Sequence, residues 1–446
     1  MGLSCVKQGT HTAVMLRDSA RYSVNNVIME GGERFALLID KATGLPDPFT
    51  TRYSAVFLRS KGGSVNSMAK AMRAVALALE WAGTRGIDLT QRIDSGDLLT
   101  QEETTDLVNW LRLSRRKPTK AEKLTAQGVK PKRRAVDTRN SVPDIVDAET
   151  HYARVLDVRA YIAWRVELAL HRIPIASGRY RDAAQKLADW KTMIAGQVRS
   201  GKLAKKYGLP PELRARFLEI VHPDCSENPF DPAHRYRNYA LLLMYYELGL
   251  RRAEALVLKT GDLRFSGNQP SLHVHRRADD PDDPRPDEPL VKTAGRLLPV
   301  GQNLRQAVET WLIRHRADRT RYPGAKKTPY VFVAENGRPM ALRTVNDLFI
   351  RIRDRFPEFP RNLSPHMLRH DWNDRFSDLC DAERQAQTTS PVAPDDRLTH
   401  AKEMALRNYL MGWKKHSERA ATYTNRTTEV QAASLMLRLQ ERSANG

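Results

Sequence analysis

Residues 411–425 read MGWKKHSERAATYTN, and this stretch near the end of the chain guides the interpretation of the rest. It begins with a Gly-Trp pair, continues with polar and basic residues, and contains one tyrosine, Tyr423, between two threonines. The nearest other tyrosine, Tyr409, lies before the Gly-Trp pair. A tyrosine hydroxyl in such a segment is a candidate nucleophile, provided that a nearby base accepts its proton.

Two upstream segments contain arginines suited to binding phosphate. Residues 249–254 read GLRRAE, and residues 366–370 read HMLRH. A phosphodiester under attack gains negative charge on its non-bridging oxygens. Guanidinium groups stay charged and bind such oxygens through two parallel hydrogen bonds. Arg251 and Arg369 are therefore candidates for the electrostatic work that metal ions perform in other enzymes. The alternative for each is an ordinary surface arginine.

The residues around these arginines suggest proton transfer and support. His366 is the candidate general base, because a tyrosine with a pKa of about 10 is a poor nucleophile until its proton is accepted. His370 is assigned a supporting role. The two histidines also have the spacing of metal ligands on a helix, but no third ligand is evident, and no metal is expected. Glu254 is expected to hold Arg251 or to cap nearby backbone.

Lys292 and Trp413 complete the set of candidate site residues. Lys292 lies in the segment VKTAGR, which predicts a strand that runs into a hairpin turn. A lysine at such a tip can donate a proton to a leaving oxygen, and an ordinary turn lysine is the alternative. The indole N–H of Trp413 can donate to a phosphate oxygen, and packing in the core is the alternative or additional role.

In this order, the segments resemble the active-site motifs of the tyrosine recombinases, also called phage-type integrases. The resemblance is good over residues 238–426, fainter over 60–172 and absent before residue 50. It implies that Tyr423 attacks a scissile phosphate, forms a 3′-phosphotyrosyl link and releases a 5′ hydroxyl. It also implies stabilisation of the transition state and transfer of protons by the other site residues: Arg251, Arg369, Trp413, His366 and Lys292.

The resemblance implies a site-specific DNA recombinase that integrates, excises or transposes a mobile element. The implied partner is double-stranded DNA with specific recombination sites, bound by a homo-oligomer that forms a tetramer on two sites, with accessory proteins as optional partners. The covalent link conserves the phosphodiester energy, so no ATP, metal or other cofactor is expected. Two alternatives stay open: a type IB topoisomerase-like enzyme that nicks and reseals, and a DNA-binding protein that keeps the fold without catalysis.

The composition of the chain agrees with a nucleic-acid partner. Its 446 residues include 73 Lys and Arg against 52 Asp and Glu, which gives a formal net charge of +21. A surplus of this size favours a polyanion, most simply DNA or RNA. The three cysteines are widely separated, which indicates a reducing compartment. No apolar run reaches the roughly 20 residues of a membrane span, so we expect a cytoplasmic, DNA-associated protein.

The hydrophobic patterns predict a mainly α fold with a small antiparallel β-sheet (α+β). The resemblance implies a helical core-binding domain followed by a tyrosine-recombinase-type catalytic domain. We place a small β-rich region over residues 1–58, the helical core DNA-binding domain over 59–172, a linker over 173–209 and the catalytic domain over 210–446. The helical domain contains a basic insertion that we expect to contact phosphates, with a solvated insertion as the alternative: Arg115, Arg116, Lys117, Lys130, Lys132, Arg133 and Arg134.

A terminal helix is predicted after Tyr423. Val430, Ala433 and Leu437 share one helical face, and further apolar residues widen it. This apolar surface needs a partner. It packs either in cis on its own domain or in trans on a neighbouring protomer, as the resemblance implies.

Overall fold

Two compact units make up the described part of the chain. One covers Met1–Ile28 and Arg34–Leu203, and the other covers Met29–Glu33 and Ala204–Gly446. Helices dominate both units, and each unit contains one small antiparallel sheet, so the predicted mainly α fold is confirmed. The computed structural model describes residues 21–114, 145–201, 205–389, 393, 396–415, 417, 428–429, 431–433, 436–437 and 440.

The first unit consists of packed helices with one β-hairpin. Its elements are β1 (Tyr22–Ile28), β2 (Arg34–Asp40), α1 (Pro48–Arg52), α2 (Val65–Arg85), α3 (Leu89–Ser95), α4 (Gln101–Leu111), α5 (Ala148–Leu170) and α6 (Gly178–Gly196). The two strands are antiparallel, with Tyr22 opposite Asp40. Ala36 and Leu38 alternate on the buried face of β2 and join the helical core. The hairpin therefore packs against the helices of its own unit.

Capping residues set the limits of the helices in this unit. In the sequence, Thr100 and Glu103 have the spacing of a capping box, and the structure confirms it: Thr100 accepts from the backbone N–H of Glu103, and Glu103 accepts in return from the backbone N–H of Thr100. The apolar stripe that precedes Gly83 predicts that α2 ends at this glycine, and that prediction is wrong. The helix continues through Arg85 to Gly86, which has a φ of 67°. The left-handed conformation that favours glycine thus occurs one turn later than the apolar stripe suggested.

Helix α6 lies within the segment that we predicted to be a linker. Leu187, Trp190 and Ile194 are buried in the core of the first unit. The indole N–H of Trp190 donates to the hydroxyl of Thr104 at 3.1 Å, which joins α6 to α4. The segment 173–209 thus contains a packed helix of the first unit.

The second unit consists of helices around a three-stranded sheet. Its elements are α7 (Arg214–Val221), α8 (Arg235–Leu248), α9 (Arg252–Leu256), β3 (Leu263–Arg264), β4 (Ser271–Val274), β5 (Arg296–Pro299), α10 (Gln302–Thr310), α11 (Leu342–Arg355), α12 (Pro365–Thr389) and α13 (His400–Met411). The strand order is β3-β4-β5, and both pairings are antiparallel. Among the described residues, no helix is both long and apolar enough to cross a membrane.

In the sequence, the apolar pair Leu290 and Val291 after a proline-rich loop predicts a strand, and this prediction is wrong. Val291 is buried, but this segment is irregular, because the antiparallel partner of β4 begins only at Arg296. Side-chain contacts hold the preceding loop instead. Asp283 accepts from Arg285 at 2.7 Å. An apolar pair of this length is compatible with a strand or with buried loop, so periodicity does not distinguish them.

Candidate active site

A buried carboxylate, Glu254, lies at the centre of the candidate site. Its oxygens accept hydrogen bonds from Arg296 Nη2 at 2.9 Å, from Thr293 Oγ1 at 2.6 Å and from Arg251 Nη1 at 3.2 Å. Arg369 Nη1 lies 3.8 Å from the same carboxylate. Burial alone would raise the pKa of Glu254, but the three arginines outweigh it and hold the pKa at about 2.

The charges in this cluster do not balance. Three guanidinium groups surround one carboxylate, so positive charge remains in excess at the site. Because Glu254 is fully buried, the local dielectric is low and the surplus acts more strongly than it would in water. The arrangement is therefore suited to an incoming anion.

Arg251 is the arginine of this cluster that solvent reaches. Helix α8 ends at Gly249, which has a φ of 58°, and α9 begins after Arg251. The backbone N–H of Arg251 donates to Glu254 at 3.0 Å, so the glutamate both caps α9 and holds the arginine side chain. The Arg251 side chain remains 24% exposed. The break between α8 and α9 at Gly249 thus places a guanidinium group at the edge of the buried cluster.

Arg369 is completely buried and joins the ends of two helices. Its Nη1 donates to the carbonyl of Gly249 at 2.6 Å, and its Nη2 donates to the carbonyl of Met411 at 3.0 Å. Its guanidinium carbon lies 5.7 Å from the centre of the Trp413 ring. Arg369 therefore packs α12 against the ends of α8 and α13, a structural role that the sequence did not predict.

The two histidines of α12 form a pair on one helical face. Their Nε2 atoms lie 3.3 Å apart, so that one ring donates and the other accepts. His366 is exposed, and His370 is buried. Desolvation, followed by the charges of Lys206, Arg369 and Arg251, lowers the pKa of His366 to about 4. Desolvation and the charges of His366, Lys206 and Arg369 lower that of His370 to about 3. Both rings are neutral at pH 7, as a general base must be.

Lys292 lies in an irregular segment between β4 and β5. Its side chain is exposed, and it directly precedes Thr293, which donates to Glu254. The structure thus places Lys292 next to the cluster along the chain.

Trp413 is mostly buried and packs with Met411 and Trp372. Its exposed fraction is 6%. Its backbone N–H donates to the carbonyl of Asn408 at 2.8 Å. Trp413 therefore packs in the core, which was the alternative role predicted from the sequence. Its ring also lies within cation–π distance of the Arg369 guanidinium group.

Arg296 and Thr293 were missed by sequence reasoning. Arg296 is buried at the start of β5, where it donates to Glu254 and to the carbonyl of Leu410 at 2.7 Å. One signal was present in the sequence. Arg296 and Leu298 are two residues apart, the spacing that places both on the buried face of β5, and a buried arginine needs a carboxylate partner.

Several predicted residues lie outside the described part of the chain. They are the candidate nucleophile Tyr423 and the basic insertion of Arg115, Arg116, Lys117, Lys130, Lys132, Arg133 and Arg134. Tyr409 is described. It is exposed, and its hydroxyl donates to the carbonyl of Leu297 at 3.2 Å. Within the described ranges, no three His, Cys, Asp or Glu side chains are placed to hold a metal ion.

Residues 220–378 match the phage integrase family. This match covers about a third of the chain. It contains the buried cluster and the histidine pair, from Arg251 through Lys292 to His370, and it ends before Trp413. The motifs quoted from the sequence therefore lie largely within the matched domain.

Two curated proteins to which the chain is similar are tyrosine recombinases. XerD of Mycobacterium leprae (strain TN) is 28% identical over 217 residues, which covers 48% of this chain and 58% of the relative. XerC of Pseudomonas fluorescens (strain Pf-5) is 31% identical over 166 residues, which covers 36% of this chain and 48% of the relative. The chain thus spans about half the length of the curated relatives it matches.

Solved integrase structures align with most of the chain at low identity. The Tn1549 transposon integrase in complex with transposon right end DNA has a TM-score of 0.45 and 16% identity, and it covers 88% of this chain and 99% of its own. A lambda integrase dimer bound to a core site has a TM-score of 0.39 and 13% identity, with 90% and 94% covered.

Proposed function

We propose that the chain is a site-specific DNA recombinase that breaks and rejoins DNA through a 3′-phosphotyrosyl intermediate. The observation that supports it is the convergence of Arg251 and Arg369 on Glu254, beside a neutral His366, within a phage integrase domain. Surplus positive charge suits the phosphate, and a neutral imidazole suits the proton of an attacking tyrosine.

The proposed cleavage step exchanges one phosphorus–oxygen bond for another. The Oη of Tyr423 bonds to phosphorus, and the bond from phosphorus to the 5′ oxygen breaks. His366 accepts the tyrosine proton, and Lys292 supplies a proton to the leaving oxygen. Rejoining reverses these steps with the 5′ hydroxyl of another strand. Because one ester replaces another, the step consumes neither water nor nucleotide.

The cluster offers two routes of stabilisation in this step. Arg251 reaches solvent and binds a phosphate oxygen directly, while the buried Arg369 adds positive potential from within. Trp413 supports Arg369 through its packing and is the third group of the proposed set. Integration, excision or transposition of a mobile element, on two sites held by a tetramer, is the corresponding biological role.

The nucleophile is tested by trapping on a nicked suicide substrate, in a buffer that contains EDTA. The parent protein should form a covalent DNA adduct on a denaturing gel without added metal or ATP. Tyr423→Phe should bind DNA and form no adduct, because it lacks the attacking hydroxyl. Tyr409→Phe is the matched control and should form the adduct normally. An adduct from Tyr423→Phe would assign the nucleophile to another residue.

Strand exchange is distinguished from simple nicking and resealing by DNA that carries two recombination sites. A recombinase yields recombinant product, whereas a topoisomerase-like enzyme only relaxes supercoils, and a non-catalytic DNA-binding protein does neither. The phage integrase match favours the first outcome over the other two.

A further inference from the structure

Residues 205–209 run across the helix that contains the histidine pair. Gly208 and Leu209 are buried. A Cβ at Gly208 would lie 2.5 Å from the Cα and the N of Asp371 and 2.6 Å from Asp374 Oδ2. Such a close approach accepts only glycine, so the position of this segment on α12 is fixed at the residue that follows His370.

The residues on both sides of Lys206 contact one glutamate. Lys205 Nζ lies 2.7 Å from Glu429, and the hydroxyl of Tyr207 donates to the same carboxylate at 3.2 Å. Lys205 and Tyr207 therefore lie on the side of Glu429, and Lys206 lies between them in the chain.

Electrostatics shows what the Lys206 side chain approaches. Its charge is among the groups that lower the pKa of His366, after desolvation, and it acts on His370 in the same direction. Arg369 acts on both rings, and Arg251 acts on His366. Because Gly208 packs against Asp371, the residue after His370, this effect agrees with a position of Lys206 near the histidine pair, although it lies 160 residues earlier in the sequence than His366.

We propose, on the basis of the DNA cleavage proposed above, that Lys206 is a further residue of the cleavage site, where its ammonium group lies beside His366 and His370 and binds a phosphate of the DNA strand. Lysine suits this role as a flexible point charge with three donors. The side chain is exposed, so a DNA strand at the site can reach it. With this contact the charge that helps to keep His366 neutral also positions the strand.

The chain provides a matched control in the neighbouring lysine. Lys205→Ala removes the same charge from the same segment, but on the side of Glu429. If the lysines only contributed general attraction to DNA, both alanine variants would weaken binding equally. At saturating DNA, differences in binding affinity no longer influence the cleavage rate. A comparison of the two variants under this condition therefore reports only effects on the cleavage step.

The first test is single-turnover cleavage of a nicked suicide substrate by the full chain. Lys206→Ala should cleave about tenfold more slowly or worse, as expected for one lost electrostatic contact at a reacting phosphate, and Lys205→Ala less than about threefold. Lys206→Arg keeps the charge and should retain most of the parent rate. Equal rates for the two alanine variants overturn the proposal.

The second test does not depend on activity. Histidine ring signals are followed by NMR during a pH titration of labelled protein, with His366→Gln and His370→Gln used for assignment. Removing a nearby positive charge favours the imidazolium, so Lys206→Ala should raise both histidine pKa values, and Lys205→Ala should leave them unchanged. Unchanged values in Lys206→Ala overturn the placement of Lys206. If the parent protein forms no adduct, the recombinase proposal fails, while this titration still tests the position of Lys206.

Discussion

The arginines of the cluster differ in burial, so replacing them affects stability and catalysis to different degrees. Arg369 and Arg296 are buried against Glu254, and removing one partner of a buried ion pair typically costs about 3–5 kcal/mol of stability. Alanine at either position therefore affects folding as well as chemistry. Arg251 is partly exposed, so its removal separates loss of catalysis from loss of fold.

Arg251→Ala should reduce the single-turnover cleavage rate by about 10²–10³, the usual effect of removing one preorganised donor. Affinity for DNA should change far less. Arg251→Lys should restore little, because lysine lacks the planar pair of donors. Arg252→Ala is the control, since this adjacent arginine contacts Asn346 instead of Glu254. A parent-like rate for Arg251→Ala would remove Arg251 from the site.

The histidine pair makes stability dependent on pH. The pKa of each histidine is about 6.5 in the unfolded chain, and about 4 for His366 and about 3 for His370 in the folded chain. Between these values the unfolded state binds more protons, so stability must fall as the pH falls from 6.5 towards 3. The lowered pKa of Glu254 acts in the same direction below about pH 4.5.

The double variant His366→Gln/His370→Gln should therefore lose less stability than the parent between pH 7 and pH 5. The measurement is the urea midpoint, followed by circular dichroism at several pH values. Other ionisable groups contribute equally to both proteins, so the difference in slope isolates the pair. Equal slopes would mean that the two rings titrate normally in the folded chain.

At the scale of elements, local signals predicted more than long-range ones. The end of α8 at Gly249 and the capping box of α4 depend on neighbouring residues, and both were predicted. The pairing of Arg296 with Glu254 joins residues 42 positions apart, and no local pattern specifies it. For the same reason, the sequence pattern predicts that Arg369 binds phosphate but does not show its contacts with the carbonyls at the ends of two other helices.

Gly412, at the end of α13, is an element-scale test of the site. It has a φ of 64°, and a Cβ there would lie 2.8 Å from Arg296 Nη1 and 2.9 Å from the carbonyl oxygen of Ala294. Gly412→Ala should cost about 1 kcal/mol for the backbone conformation and about 1–3 kcal/mol more for the displaced neighbours. Cleavage should also fall, because Arg296 must move.

Gly267→Ala is the control for this substitution, because Gly267 has a φ of 89° and no atom within 4 Å of the added Cβ. It belongs to the same unit and should incur only the backbone cost. Urea midpoints of the two variants give the comparison. If Gly412→Ala and Gly267→Ala are destabilised equally, the side chain and backbone around Gly412 can move to accommodate the added Cβ at little cost in free energy.

At the scale of the whole molecule, the tail (residues 429–446) is the segment whose packing partner bears on assembly. The described tail residues Glu429 and Gln431 contact Lys205 and Asp381 of their own chain. Met436 and Leu437 are 57% and 59% exposed. These apolar side chains need cover in a working assembly, and we propose a neighbouring protomer on the paired DNA sites.

Deletion of residues 429–446 should leave binding to a single DNA site nearly unchanged and sharply reduce recombination between two sites. A gel shift and a two-site assay on one preparation make the comparison. Glu429→Gln is the control, since it weakens the contact with Lys205 and keeps the tail. Normal recombination by the truncated protein would exclude docking in trans, and insolubility would show that the tail belongs to its own core.

Three successive backbone carbonyls at the end of α13 accept hydrogen bonds from the site. Arg296 donates to Leu410, Arg369 donates to Met411, and the backbone N–H of Ala294 donates to Gly412. Every amino acid has a carbonyl, so these bonds place few demands on the side chains at positions 410 and 411 beyond packing. During evolution, the residues at positions 410 and 411 can be substituted without loss of these hydrogen bonds, whereas Arg296 and Arg369, which donate them, cannot. An alignment of homologous sequences should therefore show variation at position 410 and conserved arginines at positions 296 and 369.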